Sequence, residues 1–546
     1  MNNPKLTGHS IRNLNGGIKV DKEQSGVNRK LVLLGLILGM FFSALEQTVV
    51  GTAMPTIVSE LNGFSIFAWV TTAYLITSTT VVPIVGKLSD MFGRRVLYLL
   101  GILIFVLGSG LCATATTMQQ LVLYRGLQGL GGGMIMPLSQ TIIGDIFSAE
   151  QRAKWQGVFG GLFALSSIVG PFIGGFLVDH VSWHWIFLIN VPFGLLSGIL
   201  IFAGLKREKA AGTTDAPIDY LGIAVFVPAL VLLLIGLTFG GDKFAWDSAA
   251  SYSIFGSSAV LYILFGLVER RAKEPILDLK LFQNRVFAVS NVLGFLLGLG
   301  MFGAIMFVPM FMQAIMGVSP TKAGSTMTPM MISLIAASII GSQILLRTRY
   351  RNVLVAGMLI TSLGFYLMST MGVDTSLFIT YLYMIILGIG MGLVMPTLTI
   401  VVQEAFPKSQ LGTVTSAAAF FRSIGGTIGV TLFNVVMNHS INDNMKQVLS
   451  DPDVASNQAV HLVLAKLAEN TDSLFGVMIA PRALKMPEEL TKQIVGYVKH
   501  AWTDSFSFVF IVGLSIIALG VLTASFVGGG RIQRDKEKKE VYAATK

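Results

Sequence analysis

The chain has 546 residues, of which 53% are hydrophobic and only 12% charged, about half the charged share of a soluble domain. Apolar runs recur along nearly the whole length, which excludes a set of soluble domains and reads as an all-α integral membrane protein. The net charge of +10 would suggest nucleic acid in a soluble protein, but the positions of the basic residues make it a topology signal.

Runs of about 20 apolar residues give fourteen spans. The first six are Leu31–Thr56, Ile66–Val85, Val96–Ala115, Gln119–Gly144, Gln156–Val178 and Trp185–Leu205. Two more follow at Tyr220–Gly240 and Ser251–Val268. The last six are Val286–Gln313, Ala323–Leu346, Asn352–Met371, Leu377–Val402, Thr413–Asn438 and Asp504–Val527. The first run is too long for a signal-peptide core and no small-residue cleavage site follows it, so it is expected to be retained. The two tails and the even-numbered connections hold 29 of the 39 Lys and Arg. The positive-inside rule then puts both termini in the cytoplasm of a multi-pass cell-membrane protein. Cys112, the single cysteine, excludes an intrachain disulfide.

Within the first span, Glu46 sits about halfway along an otherwise uncharged run. A carboxylate in hydrocarbon costs about 2.5–3.5 kcal/mol unless it faces a cavity or a partner, and it sheds that cost by taking up a proton. An acid alternating between protonated and ionised forms is what a proton-driven machine requires; the bland alternative is a buried acid bonded to a neighbouring helix. After span two comes GKLSDMFGRR, Gly86 to Arg95. Gly86 and Gly93 permit a close helix approach and a tight turn. Asp90, Arg94 and Arg95 place both charge signs in one short loop, where they can pair with Asp145 and with helix termini as an electrostatic lock between conformations. Positive-inside anchoring alone would explain the arginines but not Asp90 or the glycines.

Arg125 lies well inside span four, where a guanidinium needs an acid or several carbonyls. Glu46 is its candidate partner, in a proton-coupling role or as a fixed structural pair. Span five ends in GPFIGG, where Gly170, Gly174 and Gly175 allow close packing and Pro171 permits a kink. Spans nine and ten are rich in Met and Phe. Phe302, Met306 and Met310, with Glu46 and Gln128, are candidates for a cavity whose apolar wall and one acid would suit lipophilic cations; ordinary packing is the alternative for each. Glu404 and Arg422 add charge in the second half and are not assigned to substrate. In the outer connection, residues 439–503, Leu490, Ile494, Val498 and Trp502 recur every four residues behind Pro487-Glu488-Glu489, predicting an amphipathic helix on the outer surface or over the mouth, with an ordinary packed loop helix as the alternative.

The chain also repeats itself. GGGMIMPLSQTIIGDIFSAEQ, from Gly131, aligns without a gap to GMGLVMPTLTIVVQEAFPKSQ, from Gly390. Gly133 matches Gly392, Asp145 matches Glu404, and Arg125 corresponds to Met384. Both copies run in the same direction, so the repeat implies two parallel six-helix halves, residues 31–205 and 286–527, around a midplane site. Residues 206–285 then form a linker with two inserted helices, between cytoplasmic tails at 1–30 and 528–546.

GKLSDMFGRR resembles the signature loop of the major facilitator superfamily. LVLYRGLQGLGGG, from Leu121, resembles the fourth-helix motif of its fourteen-helix drug:proton antiporter family, with Arg125 and Gln128 at the motif's arginine and glutamine. Gly157 to Gly175 resembles that family's antiporter motif, with Ser166 where glycine is usual. LEQTVVGTAMPTI, from Leu45, resembles the first-helix motif with Glu46 for the usual aspartate, and His184 stands where arginine is common. The resemblance implies the major facilitator fold and proton-coupled efflux of amphipathic, cationic drugs by a monomer, with Gly170, Pro171, Gly174 and Gly175 marking export.

No GxxxxGK[ST] loop occurs, so the proton gradient and no bound cofactor is the expected drive. Asp179, His180 and His184 have metal-like spacing but lie at a helix boundary, and no metal site is assigned. The alternatives are an exporter or proton symporter of one metabolite and, in another class, a lipid flippase or membrane sensor.

Overall fold

A backbone surrounded by hydrocarbon must satisfy its polar groups within its own segment, so runs this apolar fold as helices. The computed structural model describes residues 27–61, 66–206, 217–241, 243–318, 322–323, 327–468, 471–479 and 486–531. Among them the only β pairing is one isolated bridge, Gly240 to Phe244. Most of both expected tails, part of the linker at 207–216, and residues 324–326 of the expected tenth span lie outside the described residues.

The helices are α1 (Arg29–Leu61), α2 (Ala68–Phe92), α3 (Arg94–Cys112), α4 (Met118–Ile146), α5 (Ala149–His180), α6 (His184–Leu188), α7 (Asn190–Gly204), α8 (Tyr220–Phe239) and α9 (Ala249–Glu269). They continue with α10 (Arg285–Ala314), α11 (Met327–Leu345), α12 (Tyr350–Ser369), α13 (Leu377–Glu404) and α14 (Leu411–Leu449). Short helices α15 (Pro452–Ser456), α16 (Gln458–Ala468) and α17 (Thr471–Ile479) precede α18 (Glu488–Ser525). Among the described residues, 12 helical stretches are long and apolar enough to cross a membrane, α6 and α7 counting as one. The chain is a multi-pass membrane protein. Helices α4 and α5, of 29 and 32 residues, fall outside that set because glycine and polar residues dilute their apolar character.

Packing follows one scheme twice. Helix α1 packs on α5 and α7, α2 on α4, and α3 on α4 and α7; α10 packs on α14 and α18, α11 on α13, and α12 on α13 and α18. The two groups meet where α2 lies against α14 and α5 against α11. The repeated glycines explain the matching geometry. A Cβ on Gly133 would strike the Ser78 carbonyl, and one on Gly392 the Leu334 carbonyl, so each glycine admits the same close helix crossing.

Gly93 joins α2 to α3 at φ 91° and ψ 147°, a conformation that only glycine adopts without strain. Gly93→Ala is therefore expected to cost about 1–3 kcal/mol. The check is the thermal unfolding midpoint of the purified variant, and an unchanged midpoint would refute the strain argument.

The expected span Trp185–Leu205 is present as one stretch, His184–Gly204, with a break at Ile189 that separates α6 from α7. The predicted amphipathic helix takes its packed alternative and not the surface one: it is the start of α18, which runs unbroken for 38 residues. Its Ile494, Val498 and Trp502 are buried with Ile441 and Met445 of α14 and with Val460, Leu464 and Leu474 of the connection. At 1.5 Å per residue, α14 and α18 are each about 57 Å long, far more than the roughly 30 Å hydrocarbon layer. With no proline between residues 488 and 525, ending the helix at the membrane would leave carbonyls and N–H groups unbonded; continuing it avoids that cost.

Candidate functional site

Three constellations carry the chemistry-bearing side chains. The first is enclosed by α1, α2, α3, α4 and α7. Arg125 Nη1 lies 2.5 Å from Glu46 Oε1, with side chains 2% and 0% exposed. The same Nη1 donates to Gln128 Oε1 at 2.7 Å, and Nε donates to the Val70 carbonyl at 3.2 Å. The guanidinium also stacks 4.3 Å over the Tyr74 ring. Asn190 Nδ2 donates to Glu46 Oε2 and, at 3.2 Å, to Ser109 Oγ. Gln128 Nε2 reaches the same hydroxyl at 2.5 Å. Each charge in this dry site has the partner that removal from water demands.

Sequence reasoning paired Glu46 with Arg125 but missed Asn190 and Ser109. Asn190 had a signal, since it is the one side-chain amide in its apolar run and stands two residues before Pro192. Ser109 had none, because a serine within a helix ordinarily bonds its own backbone.

The second constellation sits at the end of the bundle bearing the basic loops. Arg94 bridges Asp90 at 2.7 Å and Asp145 at 2.8 Å, and donates to the Lys408 carbonyl at 3.0 Å. Asp90 accepts from the N–H groups of Gly412 and Thr413 at 2.9 and 2.7 Å and from the Thr413 hydroxyl at 2.7 Å. These donors open α14, where the helix dipole favours a carboxylate. Arg152 reaches Glu404 at 3.1 Å, and Gln403 Nε2 the Gln140 carbonyl at 3.2 Å. Gly86 lies against Ser416, so the α2–α14 crossing has no room for a side chain there. Arg95 does not join this cluster: it stacks 4.3 Å from the Phe202 ring.

The third is a cavity of about 280 Å³ between the two helix groups. Met301, Phe302, Met330, Met331, Met391 and Met395 supply its apolar wall, and Gln47, Tyr74, Gln156 and Arg422 its polar side. Four expected wall residues are absent from it. Glu46 and Gln128 turn toward Arg125 instead; Met306 is exposed, and Met310, also on α10, packs partly buried against the second-half core. Glu404 is held by Arg152, whereas Arg422 faces the cavity.

In the antiporter motif, Gly170 lies against Thr48 and Gly174 against Thr52 and Val49, which brings α5 onto α1. Gly175 has open space beside it and admits no close packing, since the next face of the helix points elsewhere. Helix α5 runs continuously through position 171; the Pro171 side chain lies outside the described residues. Ser166, in the glycine's usual place, donates to the Phe41 carbonyl at 3.1 Å. His180 and His184 bond to the Phe176 carbonyl and to Ser182 Oγ, and among the described residues no group of three or more His, Cys, Asp or Glu is placed to hold a metal.

A family model described as Major Facilitator Superfamily matches residues 36–430. Over 536 residues the chain is 44% identical to "Multidrug transporter protein MdtP" of Bacillus subtilis (strain 168), a match covering 96% of this chain and 98% of that protein. Over 508 residues it is 36% identical to "Multidrug resistance protein 3" of the same organism, covering 93% and 97%. The crystal structure of the human organic anion transporter MFSD10 (TETRAN) superposes with a TM-score of 0.57 at 14% identity, over 90% of this chain and 99% of that one. At such identity the likeness is one of fold.

Proposed function

The chain belongs to the major facilitator superfamily and is similar throughout to multidrug transporters, and from that premise we propose that it exports amphipathic drugs or toxic compounds in exchange for protons, by alternating access. The observation that carries this reading is the enclosed Glu46–Arg125 pair beside a largely apolar cavity. When Glu46 takes a proton, Arg125 keeps Gln128, the Val70 carbonyl and the Tyr74 ring as partners. Protonation thus leaves the guanidinium hydrogen-bonded but without its counter-charge, so proton uptake and release change the charge balance of this enclosed site. Tyr74 lies under Arg125 and also lines the cavity, so one side chain senses both proton and cargo.

Counting α4 and α5 with the twelve apolar stretches gives fourteen spans, a count their lengths and burial support. An even count and the basic loops together support a topology with both termini in the cytoplasm. The recurring packing scheme supports halves at 31–205 and 286–527, rocking about the cavity with 206–285 as the insert. The bonds of Asp90, Arg94, Arg152 and Gln403 across the basic-loop end then make this the conformation shut toward the cytoplasm. The charge of the cargo is not set by Glu46, which faces Arg125 and not the cavity.

One proton moving down 100 mV supplies about 2.3 kcal/mol, enough for roughly 50-fold accumulation. Everted vesicles containing the full chain should accumulate a lipophilic fluorescent dye when an inside-acid pH gradient is imposed without ATP. A protonophore should abolish the accumulation. Accumulation that ignores the protonophore would overturn proton coupling.

A further inference from the structure

Among the described residues, Arg422 is the only charged one lining the central cavity. Unlike Arg125, Arg94 and Arg152, its guanidinium has no hydrogen-bonding, ion-pair or aromatic partner among the described residues. Each nearby acid is already engaged, Glu46 by Arg125 and Glu404 by Arg152. A guanidinium cannot escape its charge by losing a proton, and an unmet charge away from bulk water is costly. A second donor is also idle: Nε2 of Gln156, which lines the same cavity, is buried without a partner. Among the described residues, no carboxylate lines the cavity from any helix around it, whether α1, α2, α4, α5, α10, α11, α13 or α14.

We infer that the cavity contains an anion subsite, in which Arg422 receives the carboxylate of an otherwise lipophilic cargo. The planar guanidinium fork matches a carboxylate through two parallel N–H···O bonds. The methionine and phenylalanine wall takes the apolar body, adapting to its shape. The cargo class is thus an amphiphilic organic acid, opposite in sign to the one an acidic wall would select. The inference rests on the exporter reading of the same cavity.

The test is equilibrium binding to the full chain in nanodiscs, with no pH gradient present. The probes are three dansyl-labelled alkyl chains of equal length ending in a carboxylate, its methyl ester or an amine. The carboxylate should bind about 10- to 100-fold more tightly than the other two. Arg422→Gln should bring carboxylate affinity down to that of the ester while leaving ester affinity unchanged. Arg422→Lys, which keeps the charge without the fork, should retain a reduced preference. Equal binding of all three probes to the wild type, no binding at all, or a carboxylate preference that survives in Arg422→Gln would each overturn the subsite. Should Arg422→Gln bind nothing, an Arg422→Lys chain that binds ester but no longer favours carboxylate would also overturn it. Transport that ignores the gradient would instead overturn the exporter reading and leave these affinities as they are.

Discussion

Arg125→Met is expected to destabilise the folded chain by about 3–5 kcal/mol, because it leaves a buried, ionised carboxylate without its counter-ion. Glu46 would keep Asn190 as its donor but lose the only cation within reach. Adding Glu46→Gln to the same chain should recover most of the loss, since both charges are then gone and the glutamine amide can bond Asn190 and Gln128. Thermal unfolding of the wild type, both single variants and the double variant measures this as a double-mutant cycle. Losses that simply add would show that the pair does not act as a unit. Transport separates the two readings of the pair. If it only holds helices together, the stable double variant should still concentrate dye against a gradient. If it carries the proton, the double variant should be folded and unresponsive to pH.

Asp90→Ala should shift the resting conformation by about 10- to 100-fold toward opening at the basic-loop end, the equivalent of losing one strong charge-assisted hydrogen-bonded group. Asp90 accepts three hydrogen bonds from the start of α14 and also faces Arg94. The readout is maleimide labelling of Thr399→Cys, a buried cavity-lining position, in a Cys112→Ser background. Labelling from the basic-loop side should accelerate in Asp90→Ala and in Arg94→Ala. Arg95→Ala should leave it unchanged, because Arg95 stacks on Phe202. Equal labelling rates in wild type and Asp90→Ala would remove the lock from the mechanism.

The helical fold and the Glu46–Arg125 pair were legible from sequence because hydrocarbon admits so few solutions. Each run must be a helix, and each embedded charge must find an opposite one. The lock was legible in part: mixed charges flanked by glycines marked Asp90 and Arg94. Nothing in the sequence revealed that Arg95 turns outward. The cavity wall was legible only as a composition. Met330 and Met331 line it while Met306 and Met310 do not, since that depends on the rotation of each helix, which a helix apolar all round does not encode. The same ambiguity hid the open side of Gly175. Arg422 and Glu404 looked alike as charges of the second half, but only tertiary packing gives one of them a partner.

Helix α14 begins at the backbone groups held by Asp90, carries Arg422 past the cavity and ends at Leu449, packed through Ile441 and Met445 against the far-side helices. It is therefore a lever arm with its fulcrum in the membrane. A tilt of about ten degrees about a fulcrum halfway along its roughly 58 Å sweeps the far end through about 5 Å. A fluorophore at Lys446, exposed near that end, would thus report from the side away from the basic loops when the contacts of Asp90 on the opposite side let go.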